Sequence, residues 1–260
     1  MEYRALKLTC ENQIAVITLN LPDKRNAITP RMMEELLAAL DEIEAGRARA
    51  AILTGAGKAF CAGMDLETLQ ATISATHGEH VEDARRTAQL FRRLWSFPKP
   101  TIAAVNGAAI AGGCGLATLC DFTLAARDAK FGYTEVKIGF IPAIVSVFLA
   151  RQIGEKRARD LLLSGRIIDA AEAYTLGLVT AVVAPESLIG RAYELAGTMV
   201  ASSPSSLAHT KRLLITGAAE EVDGEIEAVI AASAEVRETS DFREGVTAFL
   251  EKRAPRWTGK

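Results

Sequence analysis

Thr101-Ile102-Ala103-Ala104-Val105, Ala111-Gly112-Gly113-Cys114-Gly115-Leu116 and Phe122-Thr123-Leu124-Ala125-Ala126 follow one another in close succession. The first and third are short apolar runs of strand type. The glycine-rich segment between them reads as a tight loop opening a helix over residues 112–119. Strand, helix and strand in that order point to an α/β fold with parallel pairing.

The alternation extends in both directions. Upstream, Ile14-Ala15-Val16-Ile17-Thr18-Leu19-Asn20 is a strand by propensity, followed by a polar turn over residues 21–27. Thr29 is placed to cap a helix with Pro30 at its first position. Met32, Met33, Leu36, Leu37 and Leu40 recur at helical spacing to about residue 44. Ala50-Ala51-Ile52-Leu53-Thr54 is the next strand. A helix is expected over 81–95, ended by Pro98 and Pro100, and the polar segment 78–82, with His80 in it and His77 beside it, reads as a mobile loop near Asp65. Downstream, helices are expected over 143–152 and 156–163 and a strand over 181–183. Past Ser202-Ser203-Pro204-Ser205-Ser206 the pattern is wholly helical, which divides the chain into an α/β core, residues 1–201, and a helical region, residues 202–260.

Composition narrows the classes of function. Thirty basic against 32 acidic residues give a net charge of −2, without the excess of Lys and Arg that a nucleic-acid face requires. No run of about 20 uncharged apolar residues is present to span a membrane. Cys10, Cys61, Cys114 and Cys120 are scattered, with no CxxC and no paired histidines, so buried reduced thiols in a cytoplasmic protein are expected, with no metal. Two hundred and sixty residues are ample for one large core.

Three segments can carry chemistry, and each has a plainer reading. Backbone N–H groups at Gly112 can stabilise an oxyanion, but a bare glycine pair is more often a turn. In Ala62-Gly63-Met64-Asp65-Leu66, Gly63 allows a sharp bend and Asp65 can cap a helix, which leaves the Met64 N–H as a second donor; alone, this is only a cap. Glu135, in Phe131-Gly132-Tyr133-Thr134-Glu135, would by default be a solvated residue or half of an ion pair. Phe131, Tyr133, Val136, Ile138 and Phe140 would instead surround it with apolar surface and raise its pKa, as suits a general base, with Lys137 offsetting this. The glycine loop lacks the dinucleotide-binding G-x-G-x-x-G, Gly57-Lys58 is not a phosphate loop, and neither Ser146 nor Ser164 lies in a nucleophile elbow.

Taken in order, Asn20-Leu21-Pro22-Asp23-Lys24-Arg25-Asn26-Ala27, residues 60–66, Pro100-Thr101-Ile102-Ala103-Ala104-Val105-Asn106-Gly107, the glycine loop with Cys120-Asp121, residues 131–135, Gly177-Leu178-Val179 and Phe249-Leu250-Glu251-Lys252-Arg253 resemble the crotonase, or enoyl-CoA hydratase/isomerase, family. The resemblance implies a crotonase-like spiral core of ββα turns. It implies a C-terminal helical trimerisation region, giving a homotrimer or a dimer of trimers. The implied substrate is an acyl-CoA thioester, with no separate cofactor, since CoA is part of the substrate. It assigns the oxyanion hole to the N–H groups of Met64 and Gly112. Lys24, Arg25 and Ala27, with Ala62, Asp65 and Leu66, fall on the segments that hold CoA, and Phe249 and Lys252 on C-terminal positions that touch it.

One departure bears on function. Two-glutamate hydratases of the family carry their first glutamate where this chain has Gly115, leaving Glu135 as the single acid/base, helped by water, Tyr133 or the substrate. Gained hydration of crotonyl-CoA in Gly115→Glu would support this reading of the missing acid, whereas no gain would also follow from a pocket repacked around glycine. The stretch Gly139-Phe140-Ile141-Pro142-Ala143-Ile144-Val145-Ser146 resembles a branch assigned to 3-methylglutaconyl-CoA. The resemblance therefore implies an enoyl-CoA hydratase. A Δ3,Δ2-enoyl-CoA isomerase using Glu135 alone and a non-catalytic CoA-binding relic are the alternatives.

Overall fold

The computed structural model describes residues 2–260. Regular structure begins with a hairpin, β1 (Leu6–Glu11) and β2 (Ile14–Leu19), closed by Asn12 and Gln13 at φ of 50° and 65°, as a two-residue hairpin turn demands. Helix α1 (Pro30–Ala45) starts where Thr29 accepts the Met32 N–H, with Pro30 at its first turn. Strands β3 (Ala50–Gly55) and β4 (Ala59–Cys61) lead to helices α2 (Leu66–Ala71) and α3 (His77–Trp95). Then come β5 (Thr101–Val105), β6 (Ala108–Ile110), α4 (Gly112–Thr118), β7 (Phe122–Ala126) and β8 (Lys130–Gly132). After a short 3-10 turn, Glu135–Ile138, the chain continues through α5 (Ala143–Ile153), α6 (Glu155–Ser164), β9 (Ile167–Asp169), α7 (Ala170–Leu176) and β10 (Ala181–Val183). Four helices close it: α8 (Leu188–Ala201), α9 (Pro204–Thr216), α10 (Ala219–Arg237) and α11 (Ser240–Leu250).

The strands form two sheets, one ordered β1-β2-β3-β5-β7-β10 and the other β4-β6-β8-β9. Each of the pairs β3–β4, β5–β6 and β7–β8 contributes one strand to each sheet before the chain turns into helix. That repetition is the spiral of ββα turns. Within the larger sheet β2, β3, β5, β7 and β10 are parallel, and every residue of β5 is buried. Burial on both faces explains why these strands read as unbroken apolar runs. Alanines at 103, 104, 125 and 126 leave room for α8, which lays Ala192 and Ala196 against β3, β5 and β7. Lys211 of α9 reaches Asp121 at 2.6 Å, and Asp121 also accepts from the Thr101 N–H, which ties α9 to the sheet. Helix α10 packs on α3 and α5, and α11 on α2 and the Glu135–Ile138 turn.

Two expectations are corrected. Residues 78–82 are not a loop but the first turns of α3, which begins four residues before the expected 81. Thr76 and Glu79 form a reciprocal capping box there, and His80 is turned inward and 1 % exposed. The polar residues that suggested a loop are the solvent side of a helix start. Of the four thiols expected to be buried, Cys10 is exposed, because β1 is an edge strand with one face in water; the other three are buried and free.

Candidate active site

Strands β4, β6 and β8 of the smaller sheet are parallel neighbours, so the turns that follow them emerge on the same side. There they border a cavity of about 610 Å³, a size that suits a small-molecule site. Its other walls are α2, α3, the start of α5, α10 and α11. Met64, Gly112 and Glu135 all line it, and so do Lys24, Arg25, Ala27, Ala62, Asp65, Leu66 and Phe249. Two residues implicated from sequence, Gly115 and Lys252, do not.

The two candidate donors are free for defined backbone reasons. Met64 forms a single parallel bridge with Ile28, in which the Ile28 N–H donates to the Gly63 carbonyl and the Asp65 N–H to the Ile28 carbonyl. Both bonds use the neighbours of Met64, so its own N–H points the other way and has no partner among the described residues. Gly112 opens α4, where first-turn N–H groups have no carbonyl to reach. Ala111 before it sits at φ 53° and ψ −128°, a conformation costly for a residue with a Cβ. Held there by a 2.7 Å bond from its N–H to the Gly132 carbonyl, it fixes the direction of the next amide. Gly63, at φ 87°, brings the two segments together. A Cβ on it would lie 2.8 Å from that of Ala111 and 3.5 Å from the Gly112 nitrogen.

Gly115, expected to mark an absent acid at the site, is buried behind it. Its N–H belongs to α4, donating to the Ala111 carbonyl at 3.2 Å. A Cβ here would meet Val145 Cγ1 at 2.5 Å and Phe91 Cε1 at 2.6 Å. The space a glutamate would need is therefore occupied by two apolar side chains, and Gly115 contributes no group to the cavity. The same contacts oppose a gain of function in Gly115→Glu, since Phe91 or Val145 would have to move to admit the side chain.

Glu135 stands at the start of the turn after β8, 7 % exposed, and its Oε2 has no hydrogen-bond partner. Burial pushes its pKa up to about 7, offset only in part by its own backbone N–H. Lys137 lines the same cavity but is not among the groups that hold this pKa. Tyr133, considered as a helper, is 1 % exposed and placed beneath the site, its hydroxyl 3.3 Å from Thr118 Oγ1. Burial raises its pKa well above the ordinary tyrosine value.

At the mouth, Asn26 organises the segment that carries Lys24, Arg25 and Ala27. Fully buried, it accepts the Leu21 N–H and donates to the carbonyls of Ala56 and Ala59, each at 2.9 Å. The Ala62 N–H donates to the Arg25 carbonyl, joining that segment to the next. Asp65 caps α2 by accepting the Thr68 N–H. Burial tends to raise its pKa, but the bonds from Thr68 and Lys24 hold it below the ordinary value. Lys24 donates to Asp65 at 3.2 Å and to Glu67 at 2.7 Å. Phe249, on α11 of the same chain, lines the opening and is 57 % exposed. Lys252 lies beyond the end of α11, away from the cavity lining.

Sequence reading missed the wall that α3 and α10 form. Ala84, Thr87 and Phe91 of α3 line the cavity, facing Ser233 and Arg237 of α10. Arg237 is 2 % exposed and donates from Nη1 to Asp83 at 2.7 Å. One signal was present: Ser233 and Arg237 share an α10 stripe with Ile226 and Ile230, where a polar pair interrupts an apolar face.

Among the described residues no cluster of three or more His, Cys, Asp or Glu side chains is arranged to hold a metal ion, and no helix is long and apolar enough to cross a membrane. Residues 9–260 match the model of the family described as enoyl-CoA hydratase/isomerase. A Thermus thermophilus protein, named provisionally as an enoyl-CoA hydratase, is 45 % identical over 248 residues, covering 95 % of this chain and 98 % of that one. The short-chain-enoyl-CoA hydratase of Clostridium acetobutylicum is 35 % identical over 256 residues, 97 % of each chain. A crystal structure of an enoyl-CoA hydratase/isomerase from Xanthobacter autotrophicus Py2 superposes with a TM-score of 0.90 at 31 % identity, over 99 % of this chain and all of the other.

Proposed function

The chain belongs to the enoyl-CoA hydratase/isomerase family, and on that footing we propose that it is a hydratase, adding water across the C2=C3 bond of a 2-enoyl-CoA. The observation that carries this reading is Glu135: a buried carboxyl with one oxygen unpartnered, on a cavity shared with the free N–H groups of Met64 and Gly112. The two N–H groups donate to the thioester carbonyl oxygen and stabilise the enolate that forms there. As the water oxygen bonds to C3, the Glu135 carboxylate takes its proton, and the C2=C3 electron pair moves into the enolate. The same carboxyl then gives that proton to C2, and the enolate collapses to the 3-hydroxyacyl thioester. A pKa of about 7 leaves both protonation forms accessible near neutrality, as one residue acting first as base and then as acid requires.

Lys24, Arg25, Ala27 and Ala62 would hold the CoA nucleotide at the mouth, with Asp65 and Leu66 beside them and Phe249 against the carrier. The acyl group in this reading is short and branched or dicarboxylic, with 3-methylglutaconyl-CoA the leading candidate. A second reading has its own support. With the first acid position filled by Phe91 and Val145, a single base suits a Δ3,Δ2-enoyl-CoA isomerase, in which Glu135 takes a proton from C2 and returns it to C4. Mass spectrometry of products from crotonyl-CoA, 3-methylcrotonyl-CoA, 3-methylglutaconyl-CoA and a 3-enoyl-CoA separates the two. A gain of one water is expected; double-bond migration at unchanged mass would establish the isomerase, and binding without turnover would leave a CoA-binding protein.

Assembly as a homotrimer or dimer of trimers is part of the proposal. Leu213 and Leu214 on α9, 76 % and 80 % exposed, support burial between copies. A monomer by light scattering would remove this part.

A further inference from the structure

The far end of the cavity carries a buried positive charge that the protein itself leaves incompletely paired. Of the three guanidinium nitrogens of Arg237, only Nη1 has a hydrogen-bond partner among the described residues, Asp83 at 2.7 Å; Nε is buried with none. Asp83 is shared, because Arg86 also approaches it, at 3.5 Å. His80 supplies no negative charge, and burial, then the charge of Arg237, lowers its pKa and disfavours its charged form. Glu238 is engaged by His77 at the surface, 2.8 Å away. Arg237 is thus paired on one side only, by an Asp83 that a half-exposed Arg86 also approaches, while its Nε has no acceptor beside a chamber walled by Phe91, Phe140, Ile141, Ile144 and Val145. A buried charge is costly unless it is paired and its donors are satisfied. The missing partner is an anion with acceptor oxygens.

The position of this charge fits the proposed chemistry. The guanidinium lies 5.3 Å from the centre of the Phe140 ring, and the Phe140 N–H donates to the Glu135 carbonyl at 3.1 Å. Phe91 marks the level of the oxyanion donors, its ring tip 3.6 Å from where a Cβ on Gly112 would stand. Asp83, which holds Arg237, precedes Ala84, two turns back along α3. At about 1.5 Å per residue, the seven residues from Phe91 to Ala84 span roughly 10 Å. An extended chain advances about 1.2 Å per bond. Four bonds from the thioester carbon to a terminal carboxyl carbon, one to its oxygen and a charged hydrogen bond of about 2.8 Å together make roughly 9 Å.

Resting on the enoyl-CoA reading above, we infer that Arg237, flanked by Ser233 and Thr87, selects enoyl-CoA substrates of about five carbons whose acyl chain ends in a carboxylate. The guanidinium is a specificity determinant. It takes no part in moving protons.

The test pairs substrates that differ only at the chain end, glutaconyl-CoA and 2-pentenoyl-CoA, and compares kcat/KM for each in the wild type and in Arg237→Met/Asp83→Asn, a double substitution that leaves neither charge buried alone. Dissociation constants for the saturated analogues glutaryl-CoA and pentanoyl-CoA are measured alongside. The wild type is expected to prefer the carboxylate-bearing member of each pair by at least ~10-fold, the worth of a charged hydrogen bond. In the double variant that preference is lost, while 2-pentenoyl-CoA and pentanoyl-CoA change by only a few-fold. Arg237→Lys, which keeps the charge, should retain part of it. No preference in the wild type, or an equal fall for both members of each pair, would overturn the inference and make Arg237 a strut between α3 and α10. Preferential glutaryl-CoA binding without turnover would sink the hydratase reading and leave this one standing; turnover without a preference would do the reverse.

Discussion

The turns after β6 and β8 leave neighbouring parallel strands side by side, with Ile110 in register with Gly132, yet they deliver opposite kinds of chemistry. The first, Ala111–Gly115, offers only main chain. Gly113 and Gly115 lie against other atoms too closely for side chains, and what reaches the cavity is the N–H of Gly112. The second offers a side chain, the Glu135 carboxyl, in surroundings apolar enough to push its pKa to about 7. Position in the sheet gives both turns the same access to the cavity. Packing behind each turn decides whether it can carry an acid. Phe91 and Val145, which themselves line the cavity, fill the space beside Gly115, so a carboxylate there would have to displace one of them.

The sharpest way to break this contrast is at Glu135. Glu135→Gln is expected to lower kcat by at least ~100-fold with little change in acyl-CoA affinity. The same variant has a stability signature. The wild-type carboxyl holds its proton to about pH 7 when folded but only to about the ordinary glutamate value of 4.5 when unfolded. The folded state thus binds more protons between those values, and wild-type stability falls as pH rises through that window. Glutamine cannot ionise. Relative to wild type, Glu135→Gln should gain up to roughly 3 kcal/mol between pH 4.5 and pH 8, measured by denaturant unfolding. A pH-independent difference would mean that Glu135 is not held neutral by burial.

At the other turn, Gly115→Ala should cost about 1–3 kcal/mol through overpacking against Phe91 and Val145. Gly115→Glu should be worse and gain no crotonyl-CoA hydration. A stable Gly115→Glu protein with raised activity would show that the wall behind α4 yields. A milder test pairs Gly115→Ala with Val145→Ala, which removes one of the two obstructing side chains and should recover part of the lost stability.

Much of the spiral was legible in the sequence because it rests on local rules. The strands at 50–54, 101–105 and 122–126 are apolar but for one threonine each, since they are covered on both faces, and Thr29-Pro30 announces α1. Glu135 and the glycine loop were legible as a spaced pair. What escaped depended on tertiary neighbours. The occlusion of Gly115 depends on Phe91, 24 residues earlier, and Val145, 30 later, which nothing local in the glycine loop reveals. The capping box at Thr76 and Glu79 was hidden by the polarity of a helix start. Arg237 looked like an ordinary cation in a C-terminal helix, since a guanidinium buried against Asp83 and one left in water are written with the same letter.

The walls of the cavity come from residues as early as Lys24 and as late as Phe249. A ribosome releasing this chain has already made the strands, the glycine turn and Glu135 while α10 and α11 are still unwritten. Domains generally form as units as they emerge during synthesis. Until α10 and α11 pack against the core, the cavity lacks the wall that carries Arg237 and Phe249, and the surroundings that raise the Glu135 pKa are incomplete.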